Sequence, residues 1–168
     1  MADKVATLHI PGCAPIELPI LVGTEGPEVI DVRALGAHGY FTYDPGFLST
    51  ASCESKITYI DGDAGILRYR GYPIEQLAER SSFLETAYLV IYGELPSEEQ
   101  LERFTNDIRR STLIDERMRD FFRTFPRNSH PMPVLSAGIV ALSLFAPDAV
   151  GFESDRIERA THQLIAKV

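Results

Sequence analysis

Cysteine is scarce in this 168-residue chain, limited to Cys13 and Cys53. They do not form a CxxC pair, so neither a zinc framework nor a thioredoxin-type redox motif is present. Two scattered thiols fit a reducing compartment better than a disulfide-stapled secreted domain. Positive charge is also in deficit: 16 Lys and Arg face 24 Asp and Glu, giving a net charge of −8. Phosphate backbones and anionic lipid surfaces need a concentrated basic patch, so nucleic-acid and membrane partners are not expected. No apolar stretch approaches membrane-spanning length. The opening residues MADKVATLHIPG lack the apolar core of a signal peptide. These absences together predict a cytoplasmic location. HExxH, GxSxG, GxGxxG and P-loop patterns are missing, and His9, His38, His130 and His162 show no ligand spacing. No internal repeat or low-complexity segment interrupts the chain.

Hydrophobic residues make up 45% of the sequence, enough for a globular protein with a real core. The texture changes once. Up to about residue 72 the chain is rich in Gly, Pro, Val, Ile and Thr. VATLHI alternates, Pro11-Gly12 punctuates, and IELPI places Ile16, Leu18 and Ile20 on one side, the pattern of a hairpin or small sheet. ITYIDGDAGILRY then reads as a second hairpin. From Pro73 the period becomes helical. Pro73 suits a first helical turn. Ser82-x-x-Glu85 and Ser97-x-x-Gln100 are capping boxes, with Gly93 placed to end the helix between them. Leu84, Ala87, Tyr88 and Ile91 form one apolar face, and Leu101, Phe104 and Ile108 form the next. Ile114, Met118, Phe121, Phe122 and Phe125 continue the period until Pro126. Val134 to Phe145 is apolar or small on almost every side, which predicts a buried central helix. Ser154 is expected to cap a last amphipathic run through Ile157, Leu164, Ile165 and Val168.

The fold class is therefore mainly α, a helical body with a small N-terminal β region. Residues 1–50 form the β-rich region, and 51–168 the hairpin plus the beginning of the helical domain. The last helical pattern runs to Val168 with no Gly, Asn or Pro after it. Two expectations follow: a complete domain with a frayed end, or a longer protein cut within its helical body.

Asp61-Gly-Asp63-Ala-Gly65 begins like a calcium loop, but Gly65 takes the third ligand position and Tyr72 the twelfth. Asp and Gly are also what a hairpin loop requires, and the turn is the expectation. His130, just before the apolar helix, is expected to satisfy orphan donors or to pack at the helix entry rather than act as a base. Arg109-Arg110 complements a helix C-terminus, with an anion site as the alternative. No catalytic residue and no metal ligand emerges from the residues.

Phe41 to Glu79 resembles the N-terminal region of citrate synthase. The resemblance lies in the Gly62…Gly65-Ile-Leu67 hairpin and the Tyr69-Arg70-Gly71-Tyr72-Pro73-Ile74 junction. Tyr92-Gly93-Glu94-Leu95-Pro96 and Ser129-His130-Pro131-Met132 are similar to later landmarks of that family. Asp44-Pro45-Gly46-Phe47 and the long β region resemble its larger, Gram-negative type. What the resemblance implies is an acyltransferase that condenses acetyl-CoA with oxaloacetate and water to give citrate and CoA, without a metal or other cofactor. The family's aspartate base and histidines lie beyond the stretch matched here. The resemblance therefore assigns no catalytic residue to this chain and implies that the polypeptide alone is inactive. A 2-methylcitrate synthase fragment and a non-catalytic assembly or regulatory module are the alternatives.

The larger type is similar to enzymes assembled from homodimers into hexamers and inhibited by NADH. The resemblance assigns Arg110, Thr112 and Lys167 as nucleotide-regulatory candidates. Ser111 stands where a histidine is expected, Ala146 near an expected tyrosine and Gln163 near an expected arginine. Losing an aromatic platform and a cation implies weak binding of an anionic dinucleotide. Arg68 and Arg70 are expected to be anchoring side chains.

Overall fold

The structure, a computed structural model, describes residues 4–145 and 153–168. The chain divides into two compact units, Met1–Ser81 and Ser82–Val168.

The first unit is built from two small antiparallel sheets. Strands β1 (Val5–Leu8), β2 (Ile16–Leu21) and β3 (Val29–Ile30) lie in the order β1-β2-β3. Alternation along β2 sends Ile16 and Leu18 inward and Glu17 outward. Ile16 and Leu18 meet Leu35, from a 3-10 turn over Arg33–His38, to form a small core. Pro19 faces Val5 across the β1–β2 ladder, and the N–H of the next residue, Ile20, donates to the Lys4 carbonyl.

The second sheet has strands β4 (Thr58–Asp61), β5 (Ile66–Tyr69) and β6 (Tyr72–Pro73) in the order β4-β5-β6. Asp61 pairs with Ile66 at the closed end of the hairpin. The Asp61 carboxylate accepts from the Ala64 N–H at 2.9 Å, and Gly65 adopts φ 67°. The loop is thus a turn held by its own side chain. The next connection, Arg70-Gly71, has φ 51° and 90°, so both central residues are left-handed, as a type I′ turn requires. Arg70 accepts that conformation while its N–H donates to the Ile57 carbonyl at 2.7 Å and Nη1 to the Lys56 carbonyl at 3.3 Å. Arg68 forms an ion pair with Glu25. Both arginines anchor backbone or neighbouring charge, as expected. Pro73 is the extended residue before α1 (Ile74–Arg80), which places it one position earlier than the sequence pattern indicates, and Leu77 is the buried residue of that helix.

Several aspartates in this chain are held in their ionised form. Hydrogen bonds from the Arg33 side chain, then its backbone N–H, bring the Asp31 carboxyl down to about 2. The Arg117 side chain and N–H do the same for Asp115, the N-cap of a later helix, also to about 2. Asp44 is lowered by the Thr50 hydroxyl at 2.6 Å and the N–H groups of Ser49 and Leu48. These folded-state values lie below those of the unfolded chain. Their stabilisation is therefore complete above about pH 4 and is lost as pH falls towards 2. Urea unfolding at about pH 7, 4 and 2.5 (above that window, at its upper edge and within it) should show most of the loss between the lower two points. A steeper loss between pH 7 and 4 would contradict it.

The second unit is helical. α2 (Phe83–Tyr92) and α3 (Glu98–Arg110) begin with the two capping boxes. The Glu85 N–H donates to Ser82 Oγ at 3.2 Å while the Ser82 N–H donates to Glu85 Oε2 at 2.6 Å. Ser97 and Gln100 repeat the arrangement. Gly93 ends α2 at φ 95°, a left-handed cap its missing Cβ makes inexpensive. α4 (Glu116–Arg123) and α5 (Pro131–Phe145) follow, and α6 (Ser154–Lys167) closes the described chain. The cap of α6 is Glu153, in extended geometry, rather than Ser154, which is already the first helical residue. His130 Nδ1 accepts the Met132 N–H at 3.2 Å, so it serves one of the orphan donors at the start of α5.

Two expectations about helix faces are corrected. In α2 the fully buried residue is Leu89, while Ile91 is 38% exposed. In α5 only Gly138 and Ala141 are buried, while Val140 and Leu144 are 69% and 77% exposed. The missing side chain of Gly138 lets the Phe122 ring of α4 come so close that a Cβ there would lie 3.0 Å from Cζ. Packing is therefore concentrated on the small-residue stripe. An apolar composition on all sides carries no direction, so periodicity could not tell which side a neighbour takes. Among the described residues, no helix is long and apolar enough to cross a membrane.

Candidate functional site

The chemistry-bearing side chains of the second unit gather where α2, α3 and α6 meet. Tyr88 and Tyr92 stand one turn apart on α2 with ring centroids 4.4 Å apart. Phe104 of α3 sets its edge against both, at 5.4 and 6.1 Å, and lies edge-on to His162 of α6 at 5.2 Å. These geometries are the favourable ones for aromatic quadrupoles. His162 is the one buried polar residue among those described. Tyr92 Oη donates to Glu158 Oε1 at 2.8 Å and lies 3.3 Å from His162 Nε2. Its single proton goes to the carboxylate, so the shared proton of the second contact belongs to Nε2. Desolvation first, and then the bond to Glu158, push the Tyr92 phenol above its ordinary range. This tyrosine remains neutral and works as a fixed donor.

A pocket of about 390 Å³ opens beside this node, between the C-terminal turn of α3 and the middle of α6. Asp107, Arg110 and Ser111 line one wall, and Glu158, Arg159, His162 and Gln163 the other. The Ser111 hydroxyl donates to the Asp107 carbonyl at 2.9 Å, which caps α3. Arg110, Ser111 and Gln163 are thus brought together. Thr112 is not at the pocket: it is exposed, and its hydroxyl donates to the Arg109 carbonyl at 2.8 Å. Lys167 lines a different cavity, of about 660 Å³, among Met118, Phe122, Leu135 and Ile139 of α4 and α5. Ala146 lies outside the described residues.

The remaining histidines do not build a site. His9 and His38 are exposed in the first unit, and His130 caps α5. Among the described residues no cluster of three or more His, Cys, Asp or Glu has metal-binding geometry. Sequence reading missed the Tyr92–Glu158–His162 contact. Tyr92 and His162 are 70 positions apart, and no local pattern joins them.

The family model "Citrate synthase, C-terminal domain" matches residues 46–168. This chain belongs to the citrate synthase family. Citrate synthase 1 of Mycobacterium tuberculosis, in strains CDC 1551 / Oshkosh and ATCC 25618 / H37Rv, is 52% identical over 168 residues, which is 99% of this chain. The chain spans 39% of the length of those curated relatives. A citrate synthase of Thermoplasma acidophilum, solved with carboxymethyl coenzyme A and oxaloacetate, aligns with TM-score 0.68 at 25% identity. That alignment covers 75% of this chain and 33% of the other. The Pyrobaculum aerophilum citrate synthase aligns over 99% of this chain and 36% of its own, with TM-score 0.60 and 26% identity. The citrate synthase match takes in strands β4–β6 and the six α-helices of the described residues, while β1–β3 precede it. The expected fold, a helical body with a small β region, is the one observed.

Proposed function

We propose that this chain is the leading portion of a citrate synthase, the acyltransferase that joins acetyl-CoA to oxaloacetate and releases citrate and CoA. The observation that carries this reading is the 52% identity to a citrate synthase over essentially the whole chain. The names of the relatives favour citrate over 2-methylcitrate as the product. The helical unit and its β-rich lead would act as scaffold, with 1–50 and 51–168 as successive structural regions. The proton-abstracting and carbonyl-polarising groups would lie on sequence outside these 168 residues, and no cofactor or metal would be needed. Assembly as a homodimer or hexamer and a cytoplasmic location belong to the same reading.

Arg110, Thr112 and Lys167 stay as candidates for nucleotide regulation, with Arg110 the one that borders the α3–α6 pocket. Ser111 and Gln163 in that pocket offer hydrogen bonds where an extra cation would attract phosphate, which supports weak inhibition by NADH.

CoA release from acetyl-CoA and oxaloacetate tests the assignment. The full-length protein carrying this region should release CoA, and should prefer acetyl-CoA to propionyl-CoA. The 168-residue polypeptide should release none above the uncatalysed background. Turnover by the short polypeptide would refute the placement of the catalytic groups. Preference for propionyl-CoA would move the product to 2-methylcitrate.

A further inference from the structure

The α3–α6 pocket holds a charge pattern that the regulatory reading does not explain. Two guanidinium groups line it, Arg110 and Arg159, but so do two carboxylates, Asp107 and Glu158. Both arginines are exposed, and among the described residues neither forms an ion pair. Arg159 Nε donates to the Asp155 carbonyl at 3.1 Å, which leaves its terminal nitrogens without a carboxylate. On cation content alone the pocket would suit a phosphate or a nucleotide diphosphate bridge.

The two carboxylates differ in their freedom. Asp107 accepts no side-chain hydrogen bond among the described residues, so it can rotate toward water when an anion enters. Glu158 cannot move without losing the 2.8 Å charge-assisted bond from Tyr92. Tyr92 is itself fixed by Tyr88 on its own helix, Phe104 on α3 and His162 on α6. A negative charge is therefore held at the pocket wall by a donor that stays protonated throughout the physiological range.

We propose that Glu158, pinned by Tyr92, is an anion gate: it offsets the arginine charge from within the pocket and keeps polyanions out. This rests on the regulatory reading of the pocket and names the residue that sets its ligand selectivity. The pocket then discriminates by charge rather than by shape, and neutralising one side chain converts it into an anion site.

The test is calorimetric titration of the 168-residue protein with inorganic pyrophosphate at low salt. Glu158→Gln preserves length and still accepts from Tyr92, so helix content by circular dichroism should not change. The variant should bind pyrophosphate about tenfold more tightly, the effect of removing one like charge a few ångströms from the ligand. The gain should vanish when Arg110→Ala is added, which places it in this pocket. Asp107→Asn should give a smaller gain because Asp107 is free to turn away. Equal binding by the unchanged protein and Glu158→Gln would overturn the gate and leave the regulatory pocket standing, as would an equal gain from Asp107→Asn. No binding by any of the proteins would overturn both.

Discussion

Phe104→Ala should lower the stability of the helical unit by about 3–5 kcal/mol, the cost of removing a large ring from a filled site. Phe104 is 3% exposed, and its ring touches aromatic neighbours on two other helices. Those contacts are edge-to-face, each contributing about 0.5–1.5 kcal/mol beyond the area buried. The variant loses the transfer energy of the ring, the contacts to Tyr88, Tyr92 and His162, and the packing that makes Tyr92 a fixed donor to Glu158. Urea unfolding followed by far-ultraviolet circular dichroism measures the loss. The fluorescence of the tyrosines gives a second reading, because the chain has no tryptophan to mask them. Phe104→Leu should lose less, since much of the volume remains. A loss below about 1 kcal/mol for the alanine variant would mean that α2, α3 and α6 are held by something other than this ring cluster.

Local signals were legible in the sequence because their physics is local. The capping boxes at Ser82 and Ser97, the Gly93 stop, the Asp61 loop and the helix-entry role of His130 each depend on residues within four positions. Strand alternation placed Ile16 and Leu18 inside for the same reason. What the sequence could not convey was direction and distance. The α5 segment announces burial on every side, yet close approach occurs along Gly138 and Ala141, where a neighbour's ring can reach the backbone. The buried position on α6 is His162 rather than one of its aliphatic residues, because Phe104 and Tyr92 provide a ring edge and a hydroxyl at that point. No hydropathy scale ranks histidine above leucine for that place; only the partner does. Site residues followed the same division. Arg110, Ser111 and Gln163 converge because α3 ends beside the middle of α6. Thr112 lies past the cap and Lys167 one turn beyond Gln163, so neither reaches the same pocket. The family itself was legible from short motifs because glycine turns and the Tyr69–Ile74 junction constrain several residues at once.

Met118→Ala should have a different signature, because its surroundings differ. Met118 is 1% exposed and is the buried residue of the eight-residue helix α4, so it is the main apolar anchor of that helix. It also lines the cavity of about 660 Å³ against α5. Methionine-to-alanine changes in closed cores cost about 2–5 kcal/mol, with the upper end reached where a new void stays empty. Here the truncated side chain opens onto space that already exists and is wide enough for water. The expected loss is therefore near the lower end, about 2 kcal/mol. It should fall unevenly. α4 packs on α5, while the ring cluster of α2, α3 and α6 does not include Met118. Amide hydrogen exchange should show faster opening of α4 and of the first turns of α5, with the amides around Leu89 and Phe104 protected as before. Uniform loss of protection through all the helices would mean that the helical unit unfolds as one cooperative block, and that the α4 contact is part of the same core as Phe104.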